Sequence, residues 1–277
     1  MSFELEMPRT IDAAGATFSY LQRGNGPALV LLHGVGSGAR SWVGQLKGLS
    51  HAFKVVAWDA PGYGQSSPVA AAQPDASDYA ERLRLLLDAL GIERLHLVGH
   101  SLGAIIATRF ARDAGNRLLS LTLAAPSSGH AALPPQERIR LRDARLDDLR
   151  EFGPAGMAQR RGPRLVSDGA SSAVRDAVVE TMSRIIPSGY AQAVRLLSVS
   201  DTANDLAQLP AGLPVQFILG GKDVITPSAA TLKIAQVRPQ AQVHTLDDCG
   251  HALYLEQPEA FNRLLVDFMA TDTVGSA

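Results

Sequence analysis

The chain has 277 residues, of which 46% are apolar and 19% charged, a composition typical of a globular protein with a sizeable core. Its net charge of -1 gives no electrostatic basis for binding nucleic acid or an anionic membrane. The single cysteine, Cys249, excludes an internal disulfide and a thiolate zinc cluster. The opening "MSFELEMPRT" lacks the features of a secretory signal, and no apolar run reaches the roughly 20 residues of a membrane span. We therefore expect a cytoplasmic protein with no nucleic-acid or membrane partner.

Short apolar runs recur along the chain and predict strands. In chain order they are "PALVLLHG", "FKVVAWDAPG", "RLHLVGH", "LSLTLAAP", "LPVQFILGGKD" and "AQVHTLDD". Each is too short for a helix, and most lack the alternation of a strand with one solvated face. Such runs are typical of parallel strands covered by helices on both sides. The opening 3–26 shows no helical pattern, so we expect it to form an antiparallel pair at the sheet edge.

Helical patterns lie between these runs. "DYAERLRLLLDALG" places leucines on one face and ends at Gly91, and "SLGAIIATRFARDAG" ends in the same way at Gly115. The alternation of strands and helices predicts an α/β fold with a mostly parallel sheet. From 126 to 206 the strands stop, and all four patterned stretches read as helices. We predict one core domain, 1–125 and 207–277, with an all-helical insertion at 126–206.

The pentapeptide "GHSLG" places Ser101 where a strand passes into a helix. One interpretation is an N-cap serine that starts the helix. The other is a nucleophile on a strained turn, with Gly99 and Gly103 avoiding clashes with neighbouring elements. Such a turn raises the hydroxyl at the carboxyl edge of the sheet, where open α/β sheets bind ligands.

A serine nucleophile needs a base, and the base needs an acid that orients it. Asp223 follows a late strand in "ILGGKDVITP", and His251 follows the last strand in "LDDCGHALYLEQP". The chain order serine, acid, histidine matches the order found with this type of elbow. We predict His251 as the base and Asp223 as its acid. Asp247 and Asp248 are alternatives, but they lie too near His251 in sequence to reach its far nitrogen easily.

An acyl-transfer site also needs donors for the oxyanion of its tetrahedral intermediate. One is the backbone N–H of Leu102, the residue after the serine. The loop "LLHGVGSGARSW" should supply the other, and we expect the N–H of Val35, with Gly36 as the alternative. A phosphate-binding loop is less favoured, because the segment lacks the lysine of a P-loop and a ribose-binding acid.

The remaining histidines and the cysteine have simpler interpretations. We expect His96 and His244 to pack within strands, and Cys249 to be a small buried side chain. His100 should shape the turn, with its side chain directed away from that of Ser101. His130 lies in a polar connection and has no evident partner.

The elbow, the H-G loop, "DAPGYGQS", the G-x-x-D and the late G-H together resemble the α/β-hydrolase superfamily. The resemblance implies a mostly parallel eight-stranded sheet with a helical cap between strands six and seven. It also implies Ser101, His251 and Asp223 as the catalytic triad and Val35 and Leu102 as oxyanion donors. Neither a metal nor an organic cofactor is implied.

Within the superfamily, segment 187–227 is similar to 3-oxoadipate enol-lactonases and small-ester hydrolases. The leading hypothesis is hydrolysis of a small carboxylic ester or lactone through an acyl-enzyme. The alternatives are hydrolysis of a carbon–carbon bond in a meta-cleavage product, perhydrolysis, and a ligand-binding signalling receptor that retains the triad. His100 stands where enol-lactonases usually have leucine and meta-cleavage hydrolases asparagine, so the subfamily stays open. The expected partner is the small-molecule substrate, and a homodimer is compatible with the sequence.

The insertion is rich in arginine, and acidic residues there are nearly as numerous, so most of these side chains should be solvated. An arginine that faces the serine could bind a substrate carboxylate in bidentate fashion. The arginines of the insertion include Arg138, Arg140, Arg142, Arg145, Arg160, Arg161 and Arg164.

Overall fold

The computed structural model describes residues 7–270, which form an α/β fold around one eight-stranded sheet. The strands are β1 (Arg9–Ala13), β2 (Ala16–Arg23), β3 (Ala28–Leu32), β4 (Lys54–Trp58), β5 (Leu95–His100), β6 (Leu118–Ala124), β7 (Val215–Gly220) and β8 (Gln242–Leu246). Their order in the sheet is β1-β2-β4-β3-β5-β6-β7-β8. The β1–β2 and β2–β4 pairs are antiparallel, and all the others are parallel. The predicted fold class and the antiparallel edge are confirmed.

Helices cover both faces of this sheet. They are α1 (Val43–Leu49), α2 (Ala76–Ala89), α3 (Leu102–Ala114), α4 (Pro135–Arg161), α5 (Ser172–Ser183), α6 (Pro187–Val199), α7 (Thr202–Ala207), α8 (Ser228–Ala235), α9 (Leu253–Glu256) and α10 (Pro258–Ala270). None of the helices within residues 7–270 is long and apolar enough to cross a membrane.

Burial on both faces explains the continuous apolar runs. In β3, Leu29 and Leu31 pack with residues of α1, α9 and α10, whereas Val30 and Leu32 pack with residues of α2 and α3. Successive side chains of a strand point to opposite faces, so a strand between two helical layers is apolar on both faces, as β3 is at every position. Edge strand β8 departs from this pattern because three of its five residues are exposed.

Helices α2 and α3 end at glycines for two different physical reasons. Gly91 lies just past α2 at φ 63°, the left-handed conformation predicted for a glycine that ends a helix. Gly115 was predicted to do the same after α3, and this is wrong. It has φ -62° and opens a short 3-10 turn. A Cβ at Gly115 would lie 2.8 Å from Pro210 Cγ, so close packing favours glycine there.

Between β6 and β7 the chain forms only helices, α4 to α7 with a short 3-10 turn. Gly153, at φ 62° and ψ 179°, interrupts α4. The last predicted stretch forms two helices, α6 and α7, separated by an extended Ser200. Helix α7 is tied to α3 through Asp205, whose side chain is 1% exposed and accepts from Arg109 and Arg112 at 2.9 and 2.8 Å. The boundaries 1–125, 126–206 and 207–277 stay a prediction.

Candidate active site

Ser101 stands between β5 and α3 in a conformation that serine rarely adopts, with φ 53° and ψ -111°. Left-handed backbone of this kind is strained for a residue with a Cβ and is concentrated at functional sites. Ser101 occupies the N-cap position, yet its side chain makes no capping hydrogen bond. Its backbone is held instead, because its N–H donates to the Ala124 carbonyl at 3.0 Å. The serine therefore starts the helix without using its hydroxyl.

Small residues around the serine are required by close backbone contacts. A Cβ on Gly99 would overlap with the carbonyl of Gly103, and a Cβ on Gly103 would overlap with the carbonyl of Leu32. A Cβ on Gly34 would lie 3.0 Å from the Cβ of Ser101. The two glycines of the pentapeptide thus let α3 begin directly against β3 and β5.

Asp223 and His251 follow β7 and β8 and meet beside the serine turn. His251 Nδ1 lies 2.8 Å from Asp223 Oδ2, and their side chains are 4% and 1% exposed. Asp223 Oδ1 accepts from the backbone N–H groups of Ile225 and Thr226 at 2.7 and 2.9 Å. The Thr226 hydroxyl donates to Oδ2 at 2.7 Å. All of these contacts orient the carboxylate toward the imidazole.

The electrostatics of this pair favour an ionised carboxylate. Burial raises the pKa of Asp223, but the hydrogen bond from His251 and those from Thr226 outweigh it and lower the pKa from 3.8 to about 2. An ionised Asp223 can only accept from Nδ1, so Nδ1 carries a proton, and in the neutral form of the ring the lone pair is on Nε2. A neutral histidine in this tautomer can take a proton from a hydroxyl.

Four of the five predicted site residues line one cavity of about 130 Å³: Val35, Ser101, Leu102 and His251. Asp223 does not line this cavity, and it contacts His251 through the ring nitrogen Nδ1. Neither of the alternative acids, Asp247 and Asp248, forms the hydrogen bond to His251, and both are exposed. Within residues 7–270, no group of three or more histidine, cysteine or acidic side chains could hold a metal ion.

The loop after β3 leaves one N–H free beside the serine. Gly36 N–H donates to the Tyr63 hydroxyl at 3.4 Å, whereas the N–H of Val35 donates to no acceptor among the described residues. Leu102 N–H, at the first position of α3, is likewise without an acceptor in the described part of the chain. These two free donors at the cavity wall are the arrangement that an oxyanion requires.

Two residues that sequence reasoning left without a role hold this loop in place. His33 Nε2 accepts from Ala60 N–H at 3.0 Å, so its Nδ1 carries the proton and donates to the Gly34 carbonyl at 2.8 Å. Asp59 Oδ1 accepts from Ala39 N–H at 2.9 Å. Both residues belong to the motifs already noted, H-G and "DAPGYGQS". Both motifs are visible in the sequence, but the roles of His33 and Asp59 depend on contacts between the two loops, which the sequence does not show.

The sequence and structure of this chain match known proteins over most of its length. Residues 29–264 match a family model described as "Alpha/beta hydrolase family". The chain belongs to this family. The hydrolase is 29% identical to 2-hydroxy-6-oxononadienedioate/2-hydroxy-6-oxononatrienedioate hydrolase 2 of Pseudomonas putida, with 87% of each chain covered. With a family model of hydrolases over most of its length and relatives named as hydrolases, it is an enzyme.

Solved structures share the fold of the hydrolase. A thermophilic esterase from Thermogutta terrifontis, with malate bound, superposes with a TM-score of 0.86 at 24% identity, covering 96% of this chain and 99% of the other. The enol-lactonase from Burkholderia xenovorans LB400 gives a TM-score of 0.83 at 21% identity, covering 95% and 100%.

His100 contacts the backbone of His251, which the sequence did not predict. Its ring is buried, and burial lowers its pKa to about 3, so the ring is neutral. Nε2 lies 2.9 Å from the His251 carbonyl and donates to it, because a carbonyl oxygen can only accept. The ring also packs edge-to-face on Tyr254, with centroids 4.9 Å apart. Sequence reasoning assigned His100 only to the turn, whereas the structure also connects it to the backbone of His251.

The other singled-out residues pack as the sequence predicted. His96 Nδ1 lies 2.8 Å from the Ser120 hydroxyl, and burial lowers its pKa to about 4. Cys249 is fully buried, and burial raises the pKa of its thiol to about 12. A thiol of this kind is a poor nucleophile. His244, in edge strand β8, is half-buried, and its Nε2 lies 3.3 Å from Gln242 Oε1.

Proposed function

We propose that the hydrolase cleaves a small carboxylic ester or lactone through an acyl-enzyme formed on Ser101. The observation that carries the proposal is the strained Ser101 turn in a cavity shared with His251, whose Nδ1 is bound to the buried Asp223. A capping serine would need neither the strain nor the histidine. Relatives and fold neighbours named as esterases, an enol-lactonase and hydrolases support this class of reaction.

The proposed mechanism uses each group once in each half-reaction. His251 Nε2 takes the hydroxyl proton as Ser101 Oγ attacks the carbonyl carbon. The oxyanion accepts from the backbone N–H groups of Val35 and Leu102. As the tetrahedral intermediate collapses, the bond to the leaving alkoxide breaks and His251 returns the proton to it. Water then attacks the acyl-enzyme by the same route and releases the acid and the serine.

The test is the Ser101→Ala variant, assayed with short 4-nitrophenyl esters. The Ser101 hydroxyl makes no hydrogen bond to another residue within 7–270, so the variant should keep the thermal unfolding profile of the native protein. Its kcat should fall by at least about 10³-fold. Esterase activity unchanged in a folded variant would contradict the assignment of Ser101.

A second candidate is hydrolysis of a carbon–carbon bond next to a carbonyl. It is favoured by relatives such as 2-hydroxy-6-oxo-6-phenylhexa-2,4-dienoate hydrolase of Burkholderia cepacia, 29% identical with 89% of each chain covered. The two candidates are separated by comparing kcat/KM for that dienoate with kcat/KM for short esters. We expect the ester value to be higher, and a higher dienoate value would favour the second candidate.

A further inference from the structure

The cavity at Ser101 has an uneven charge. Three arginines of the insertion line it, and none of the described residues that line it is acidic. The arginines are Arg145, Arg161 and Arg164. Because the chain as a whole has a net charge of -1, this concentration of positive charge is local to the cavity. A cavity of this kind attracts anionic ligands.

Only one of the three arginines is both withdrawn from solvent and without a partner. Arg161 forms an ion pair with Asp148, which neutralises its charge. Arg164 is exposed, so water solvates it. Arg145 is half-buried on α4, and no hydrogen bond or ion pair to another described residue reaches its guanidinium. A partly desolvated cation with no partner is costly, and a bound carboxylate would offset that cost.

Arg138, Arg140, Arg142 and Arg160 do not line the cavity. Arg140 pairs with Glu137 at 2.6 Å, and Arg142 pairs with Asp143 at 2.8 Å. Arg160 lies over the Phe152 ring, 4.3 Å from its centroid. Among the described arginines of α4, Arg145 therefore combines a place in the cavity wall with the lack of an acidic partner.

His130 supplies a second polar group at the same cavity. It lines the cavity, and its Nδ1 is buried with no hydrogen-bond partner among the described residues. Its backbone is fixed, since its N–H donates to the Leu197 carbonyl at 3.0 Å. Burial lowers the pKa of His130, and the positive charge of Arg145 lowers it further, so the two side chains are electrostatic neighbours. A neutral imidazole beside a guanidinium can donate a second hydrogen bond to an anion.

We propose that Arg145 and His130 form a carboxylate-binding subsite that makes the hydrolase selective for esters or lactones carrying a free carboxylate. The inference rests on the proposed function, because it uses Ser101 as the point of attack. The guanidinium binds both carboxylate oxygens, and the His130 ring donates to one of them. The substrate then lies between this subsite and the serine, with its ester carbonyl at the N–H groups of Val35 and Leu102.

The experiment compares matched substrates that differ only in a terminal carboxylate or methyl group. Monomethyl glutarate and methyl pentanoate place this group on the acyl side, while 4-acetoxybutanoate and butyl acetate place it on the alcohol side. We expect the acidic member of at least one pair to have a kcat/KM about 10- to 100-fold higher, the range of a charged hydrogen-bonded contact. No preference in either pair would overturn the proposal.

Two variants on α4 assign the preference to a residue. Arg145→Gln should remove the 10- to 100-fold preference through a higher KM for the acidic ester, and leave kcat/KM for the neutral ester within about twofold. Arg142→Gln is the matched control, because Arg142 lies on the same helix and outside the cavity. It should keep the preference. Equal effects of the two variants, or an equal loss on both esters, would contradict the subsite.

A binding measurement separates failure of the subsite from failure of the proposed function. Calorimetric titration of Ser101→Ala with monomethyl glutarate and with methyl pentanoate measures binding without turnover. Tighter binding of monomethyl glutarate that an added Arg145→Gln substitution abolishes would support the subsite even if the native protein hydrolysed no ester. Ester hydrolysis by the native protein with equal binding of the two esters to Ser101→Ala would leave the proposed function intact and overturn the subsite.

Discussion

The contact between His251 and Asp223 leads to the most quantitative expectation for this hydrolase. In Asp223→Asn, the amide oxygen can still accept from the N–H groups of Ile225 and Thr226, which lie 2.7 and 2.9 Å from Oδ1. The amide NH2 then faces His251 Nδ1, a position at which the native carboxylate oxygen is 2.8 Å away. Both groups cannot donate, so the imidazole proton must move to Nε2 and the base is lost.

The size of the effect follows from two contributions. The lowered pKa of Asp223, about 2 against 3.8, corresponds to about 2 to 3 kcal/mol, or roughly 60-fold, in favour of the ionised carboxylate, and part of it comes from Thr226. The reversed tautomer adds a larger cost, because the minor tautomer must form before each turnover. Together they predict a fall in kcat of about 10³- to 10⁴-fold.

The assay is steady-state hydrolysis of a short 4-nitrophenyl ester at pH 7.5, with unfolding in urea as a control for folding. Asp248→Asn is the matched control, because Asp248 is exposed and close to His251 in sequence. It should keep kcat within about twofold. If Asp223→Asn kept kcat within tenfold while Asp248→Asn reduced it, the assignment of the acid would be refuted.

Four further outcomes follow from the structure. Gly103→Ala should lower the free energy of unfolding in urea by about 2 kcal/mol or more, because the added Cβ would overlap with the carbonyl of Leu32. Gly212→Ala is the control: a Cβ there meets open space, so its free energy of unfolding should be nearly unchanged. His100→Leu should lower kcat about tenfold with little change in KM, because leucine cannot donate the hydrogen bond to the His251 carbonyl. An unchanged kcat would contradict a role of His100 in positioning His251. Asp205→Ala should cost about 2 kcal/mol, because it removes a buried acceptor of two arginines of α3, which keep only their contacts to Asp113 and Ser77. It should leave kcat unchanged below the melting temperature, and a stability unchanged within about 1 kcal/mol would contradict this. The depressed pKa of Asp223 stabilises the folded state above pH ~4 and loses this effect as the pH falls toward about 2. The stability difference between the native protein and Asp223→Asn should therefore shrink over that range, and a constant difference would contradict it.

Local patterns in the sequence were sufficient for the fold and for the serine turn. The buried strands are mostly apolar because helices cover both faces, so short apolar runs mark them in the sequence. The strain at Ser101 requires small neighbours within two residues, and this leaves a readable pentapeptide. Asp223 and His251 are readable because each follows a strand that ends at the same edge of the sheet.

Contacts between distant segments could not be read in the same way. The hydrogen bond from His100 to the His251 carbonyl joins residues 151 positions apart, and no local pattern encodes it. The arginines of the insertion look alike in sequence, and only the packing of α4 distinguishes Arg145 from its ion-paired neighbours. The prediction for Gly115 was wrong because glycine occurs both in left-handed turns and where segments pack closely. At Gly115 the reason is close packing against Pro210.

The central claim is that Ser101 forms a covalent intermediate, and labelling with a fluorophosphonate tests it most directly. The native protein should gain one phosphonyl group, and peptide mapping should place it on Ser101. Ser101→Ala should remain unlabelled, and Asp223→Asn should be labelled much more slowly. Labelling at another residue, or full esterase activity in protein whose Ser101 is completely labelled, would contradict the account.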